Sequence, residues 1–188
     1  MANSEIEIKA YIRDFDSVLN FLKSNAKFKK KYFKKDIYYA KEGSIKTGNI
    51  KTSDCIRLRI EHGGYTFCTK ERTLIDGVEV NEEIEVKVSK RKAKFIINFL
   101  SKLQKYKEYV KKEKKGYAFI YKNALVEISK IKNLDDFIEI EFLNSDETIE
   151  NQILQLKSIL NEIGIKEKDI ETKTLYSFTF TIKYISKI

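Results

Sequence analysis

The sequence predicts an α+β fold in which antiparallel strands close into a β-barrel with helices packed outside. Three observations carry the prediction. Charged and apolar residues alternate strictly at several separated places, first at Glu5-Ile6-Glu7-Ile8-Lys9-Ala10, the period of an extended strand with one charged face. Hairpin punctuation recurs at His62-Gly63-Gly64 and at Asp76-Gly77. Segments with helical periodicity interrupt the strands, which supplies helices to cover apolar outer faces.

The elements follow in order. After the first strand, Asp14 or Asp16 can cap a helix whose stripe includes Val18, Leu19 and Leu22. Lysine-rich 27–35 then breaks the pattern, and a second strand is expected over Asp36 to Tyr39. Glu42 to Asp54, rich in Gly, Ser, Thr, Asn and Lys, reads as a mobile loop. Ile56 to Ile60 and Tyr65 to Lys70 form a hairpin, and Asp76-Gly77 joins another pair whose second arm is Glu83-Ile84-Glu85-Val86-Lys87-Val88. Ser89 precedes an amphipathic helix built on Ala93, Ile96, Ile97, Leu100 and Leu103. Four further strands are expected at Tyr109–Lys115, Tyr117–Tyr121, Ala124–Ile131 and Phe137–Phe142. Ser145 or Asp146 caps a third helix with stripe Ile149, Ile153, Leu156, Leu160 and Ile163, ending at Gly164. Thr174 to Ile185 has the propensity of a strand.

A length of 188 residues without a visible linker or repeat reads as one domain over 1–188. Hydrophobic content of 42% argues against disorder, while 37 Lys and Arg against 28 Asp and Glu leave a formal charge of +9. That balance favours an anionic partner: nucleotide, polyphosphate, nucleic acid or acidic membrane surface. Cys55 and Cys68 lie in strands without metal-ligand spacing and read as reduced thiols, and His62 reads as a turn residue. No leader pattern and no long apolar run is present, so a cytoplasmic protein with no membrane partner is expected.

The charged faces carry the functional reading. On one strand such alternation means only a solvated face. Here Glu5, Glu7 and Lys9, then Arg57 and Arg59, then Glu83, Glu85 and Lys87, then Lys112 and Lys114, then Glu139 and Glu141 recur at spacing two on different strands. With these faces turned inward, a barrel holds an acidic and a basic sector. Two like charges about 4 Å apart repel by about 4 kcal/mol at an effective dielectric near 20. A bound anion offsets that repulsion on the basic side, and a hard divalent cation held by carboxylates brings further positive charge to a phosphate. A nucleic-acid-binding barrel with Tyr38, Tyr65 and Tyr117 as platforms is the competing reading. Paired glutamates on the faces that carry the arginines argue against it, because they repel a phosphate backbone. A regulatory module that binds polyphosphate without turnover uses nearly the same residues.

Glu5-Ile6-Glu7-Ile8-Lys9 resembles the E-x-E-x-K signature of the CYTH, or triphosphate tunnel metalloenzyme, superfamily. Lys35-Asp36-Ile37-Tyr38, Arg57-Leu58-Arg59, Thr69-Lys70, Glu83-Ile84-Glu85, Lys112-Glu113-Lys114 with Tyr117, and Leu134 through Glu141 follow in the family's order. The resemblance implies a closed tunnel of about eight antiparallel strands. It implies Glu5, Glu7, Glu139 and Glu141 as metal ligands, assisted by Glu83 and Glu85, for Mg2+ or Mn2+. Lys9, Lys35, Arg57, Arg59, Lys70, Lys112 and Lys114 resemble the triphosphate ligands, and Glu5, Glu7, Lys9, Arg57 and Arg59 the catalytic set. Ser129 stands where the family commonly has Asp, with Glu127 two residues earlier; Asn81 stands where an Arg is frequent, Lys114 replaces a frequent Arg, and Asp135 a Gly. Size and the Lys-Asp-Ile-Tyr segment are most similar to bacterial class IV adenylate cyclases. The implied reaction is ATP to cyclic AMP and pyrophosphate, with hydrolysis of tripolyphosphate, thiamine triphosphate or a nucleoside triphosphate as the alternative. The family often forms homodimers.

Overall fold

Alternation along β1 (Asn3–Ile12) places Ile6, Ile8, Ala10 and Ile12 on one face, all buried, and Glu5, Glu7 and Lys9 on the other. A strand with two such faces needs apolar cover on one side and a polar enclosure on the other. The computed structural model provides both; it describes residues 3–48, 50–51, 54–142 and 147–172. β1, β2 (Lys27–Lys41), β3 (Cys55–Glu61), β4 (Gly64–Ile75), β5 (Val78–Val88), β6 (Tyr106–Tyr121), β7 (Ala124–Ile131) and β8 (Asp136–Phe142) form one closed antiparallel barrel. Their order is β1-β5-β4-β3-β2-β6-β7-β8, and β1 closes the ring by pairing with both β5 and β8.

Two apolar layers flank the barrel. Helices α1 (Phe15–Asn25) and α4 (Ile149–Glu162) bury Val18, Leu22, Ile153, Leu156 and Leu160 against Ile8, Val126, Ile138 and Ile140. On the other side α3 (Lys90–Leu103) sets Ala93 against Ile37, Tyr39, Leu58 and Phe67. Asp14 caps α1 by accepting from the Ser17 N–H, and Ser89 caps α3 by accepting from the Lys92 N–H, as the sequence predicts. The α4 cap is Thr148; Ser145 and Asp146, expected there, lie outside the described residues, as does the expected strand 174–185.

Three expectations change. The second strand is not confined to Asp36–Tyr39 but runs from Lys27 to Lys41, because its ladder with β6 supports lysines on both faces. Within the expected loop 42–54, Glu42–Thr47 form a short helix, α2, closed by left-handed Gly48. Tyr109–Lys115 and Tyr117–Tyr121 are one strand, β6, because Gly116 is not a break. It lies under the Tyr32 ring: a Cβ there would come within 2.8 Å of Tyr32 and 2.1 Å of the Ile128 carbonyl oxygen. Gly116→Ala must therefore force adjacent strands away from each other and is expected to destabilise by about 3 kcal/mol, the upper end of ordinary overpacking. A urea titration measures this, and an unchanged midpoint would refute the close approach.

Turn chemistry sets the register. His62-Gly63 and Asp76-Gly77 both have two successive positive φ angles, 48° and 78°, then 49° and 82°. These are the two-residue turns whose twist matches a hairpin. They fix Arg59 opposite Thr66 and Lys70 opposite Glu83.

Candidate active site in the barrel lumen

With that register, odd-numbered residues of β1, β3, β5, β7 and β8, even-numbered residues of β4, and even-numbered residues of β2 and β6 between the two register shifts of their ladder (30–38 and 110–118) point into one lumen. Glu7 stands opposite Glu79 and Glu141, Lys9 opposite Glu139, Asp36 opposite Arg59 and Lys112, and Lys34 opposite Lys114 and Glu61. The convergence expected from spacing alone is therefore present.

The acidic sector lies on β1, β5 and β8. Carboxylate oxygens of Glu5, Glu7 and Glu83 fall within 4.8 Å of one another. The Lys70 ammonium sits among them, 3.2 Å from Glu5 and 2.8 Å from Glu83, and also bonds Glu7. Lys9 donates to Glu7 at 2.7 Å and to Glu79 at 3.0 Å, and Arg72 pairs with Glu79 at 2.9 Å. Burial, followed by the Glu7 charge and a hydrogen bond with Glu141, pushes the Glu5 carboxyl up to about 10, and Glu141 is also raised. Burial also acts on Glu7, but Lys9 and Lys70 outweigh it and hold its carboxyl well below the usual carboxylate range.

These residues fit a divalent cation. Hard oxygen donors from three strands converge, one ammonium already stands in as their counter-cation, and burial followed by the Glu7 charge raises the Glu5 carboxyl in spite of that ammonium. Asn81 Oδ1 and Arg72 Nε, both buried in this sector, have no hydrogen-bond partner among the described residues, as expected of a cavity shaped for a polar occupant. A divalent cation ligated by Glu5 must displace its proton, so affinity should rise with pH up to about 10 and proton release should accompany binding near pH 7. Calorimetry with Mn2+ in two buffers of different ionisation enthalpy checks this; identical heats would contradict it.

The basic sector lies on β2, β3 and β6. Arg59 donates twice to Asp36, at 2.8 and 2.9 Å, and Asp36 is fully buried. Burial alone would raise the Asp36 carboxyl, yet the guanidinium holds it far below its ordinary value. Lys114 pairs with Glu139 at 2.8 Å, and against the effect of burial Lys114 and Lys9 hold Glu139 at about 2. Lys34 donates to both Glu127 oxygens, at 2.7 and 2.6 Å. The Lys112 ammonium lies 5.2 Å from the centre of the Tyr38 ring. Burial, then the neighbouring Lys114, depresses its affinity for a proton well below the lysine norm. Arg57 reaches Glu85 at 3.2 Å and Glu83 at 3.8 Å, which ties the basic wall to the acidic one.

Not every expected ligand is in place. Lys35 lies on the outer face, pairing with Glu113 at 3.5 Å; Lys34, one residue earlier, faces the lumen. Lys87 is solvent-exposed, and Glu85, 45% exposed, sits toward the rim. Glu139 belongs to Lys114 and Lys9, while Glu141 lies against Glu5 and Glu7. Sequence reasoning misses Lys34, Arg72 and Glu79, and gives Asp36 and Glu127 no role. Tyr65 packs against the layer under α3 and Tyr117 lies on the outer face near Lys31, so of the three tyrosines only Tyr38 reaches the lumen. Tyr176 lies outside the described residues. Cys55 and Cys68 are buried free thiols.

No family model matches the chain. A Methanocaldococcus jannaschii protein named a putative adenylate cyclase is 31% identical over 179 residues, which is 90% of this chain and 95% of that protein. A Pyrococcus horikoshii protein of solved structure superposes with a TM-score of 0.78 at 24% identity, covering 95% of this chain and 99% of its own. A Hippeastrum structure, described as a putative adenylyl cyclase with a dominant triphosphatase activity, superposes with a TM-score of 0.67 at 14% identity, covering 95% of this chain and 96% of its own. Shared barrel, ordered motifs and a relative matched along nearly its whole length agree: the chain belongs to the CYTH superfamily of triphosphate-processing enzymes and is similar to its class IV adenylate cyclases.

Proposed function

We propose that the protein converts ATP to cyclic AMP and pyrophosphate inside the lumen. The observation that carries this reading is the division of one enclosed cavity into a carboxylate sector and a facing basic sector, on a chain 31% identical to a protein named as a putative adenylate cyclase.

Arg57, Arg59, Lys112 and Lys114 would take the triphosphate, the arginines in bidentate fashion and the lysines as point charges. Lys112 is the most responsive of these, since a phosphate oxygen beside it restores the proton that burial disfavours. At Arg57, Arg59 and Lys114 an arriving phosphate oxygen competes with a carboxylate already paired with the same cation, so Glu85 and Glu83 are freed as Arg57, and Glu139 as Lys114, turns to the substrate. A divalent cation held by Glu5, Glu7 and Glu83, with Glu141 adjacent, supplies Lewis-acid neutralisation of the phosphates when bound. The ribose 3′ oxygen forms a bond to the α-phosphorus as the bond to the bridging oxygen of the β-phosphate breaks. The 3′ proton passes to solvent water, and the basic sector stabilises charge gathering on the departing pyrophosphate.

Hydrolysis of a triphosphate is the second reading, supported by the dominant triphosphatase activity ascribed to the similar Hippeastrum protein. Incubation with ATP or tripolyphosphate plus Mg2+ or Mn2+, followed by separation of cyclic AMP, pyrophosphate and orthophosphate, separates the readings. Cyclic AMP with equimolar pyrophosphate is expected. Orthophosphate without cyclic AMP would reject cyclisation, and binding without any product would leave a polyphosphate-binding module.

A further inference from the structure

The lumen's cations are met by at least as many carboxylates, so the +9 of the chain is carried elsewhere. Its largest share lies on α3 and its flanks, with a second share on the lysine-rich 27–35 of β2. From Lys87 through Lys107 the sequence carries eight Lys or Arg and no Asp or Glu. Lys90, Arg91, Lys92 and Lys94 occupy the start of α3, where cations oppose the helix dipole and where acidic residues are absent. All four are solvent-exposed.

The same helix exposes apolar side chains. Phe95 is 71%, Leu103 67% and Phe99 44% exposed. Spaced four residues apart, they form one stripe on the face opposite buried Ala93, with Arg91, Lys92 and Lys102 flanking it at helical spacing. The helix is anchored to the barrel through its inner face, so the stripe lies parallel to the protein surface and faces outward.

We propose that α3 is a membrane-surface helix, which docks the barrel onto an anionic lipid bilayer with Phe95, Phe99 and Leu103 entering the headgroup boundary and the surrounding cations meeting acidic lipids. Charge complementarity selects this occupant. A two-fold pairing of α3 with a second copy would set its cations against identical cations, with no carboxylate on the segment to relieve them. This is peripheral contact; among the described residues no helix is long and apolar enough to cross a membrane.

The test is co-sedimentation of the full chain with vesicles of phosphatidylcholine, or of phosphatidylcholine doped with phosphatidylserine. Pelleting with the anionic vesicles alone is expected, weakening with salt and falling roughly fivefold per cation removed when Arg91 and Lys92 are replaced by Gln. Phe95→Ser with Leu103→Ser should reduce partitioning at least about tenfold, with an unchanged thermal midpoint because both side chains are exposed. The chain has no Trp, so Phe95→Trp supplies a single reporter whose emission should shift to the blue on anionic vesicles only. Absence of pelleting, equal pelleting with neutral vesicles, or a salt-insensitive dimer that the double Ser variant dissolves without any vesicle binding would each overturn the proposal. Because the full chain is used, a stripe covered by another segment of the protein registers as absence of pelleting.

Discussion

Replacing Glu7 by Gln is expected to lower metal-dependent turnover by about three orders of magnitude, the several kcal/mol of charge stabilisation that a correctly held cation supplies. Glu7 is the residue on which the acidic sector converges: it bonds Lys9 and Lys70, stands opposite Glu79 and Glu141, and shares the cluster with Glu5 and Glu83. The amide keeps the shape but removes the charge that keeps those ammonium groups in place. Since Arg59, Lys112 and Lys114 are untouched, tripolyphosphate without metal should still raise the thermal midpoint, as any ligand specific to the folded state does. The expected signature is thus loss of turnover and of Mn2+ binding, with anion binding retained. Full turnover in the variant would remove Glu7 from the site.

Arg59→Ala should give the largest loss of stability among the lumen variants, about 3–5 kcal/mol, because it leaves Asp36 charged, buried and without its guanidinium. For a chain of this size that corresponds to a fall of roughly 6–20 °C in the thermal midpoint. The sign of its pH dependence follows from the depressed Asp36 carboxyl. The pair contributes stability above the ordinary aspartate value of 3.8 and loses it as pH falls toward the folded-state value. The difference between wild type and Arg59→Ala should therefore be largest near neutrality and narrow in acid. Thermal scans across pH measure it, and a constant difference would place the effect elsewhere. Double variant Asp36→Leu with Arg59→Met should recover much of the loss, since no buried charge then remains unpaired.

These effects depend on a cavity that the sequence announces through repetition. One alternating segment cannot tell lumen from solvent, but five such segments with cations on some and carboxylates on others imply that their faces meet. Strand β1 is legible because Glu, Glu and Lys alternate with Ile, Ile and Ala. In β2 the contrast vanishes: Lys34 faces the lumen and Lys35 the outside, and two adjacent lysines give no period to read. That is why the strand reads as short and why Lys35 stands in for its neighbour. The paired register with β6 decides between them, and register is a property of two strands. Gly116 reads locally as punctuation, whereas its cause is the Tyr32 ring on the adjacent strand. Glu79 and Arg72 flank a turn and resemble ordinary hairpin polarity; only closure of β5 onto β1 turns them inward. The helix Glu42–Thr47 has no apolar stripe and so no periodic signal.

The most direct measurement is anomalous diffraction from crystals soaked with Mn2+ and tripolyphosphate. A manganese peak against Glu5 and Glu7, with phosphate density reaching Arg59 and Lys114 across the same lumen, is the expected result. Manganese and phosphate bound only on the outer surface, with the lumen holding solvent alone, would contradict it.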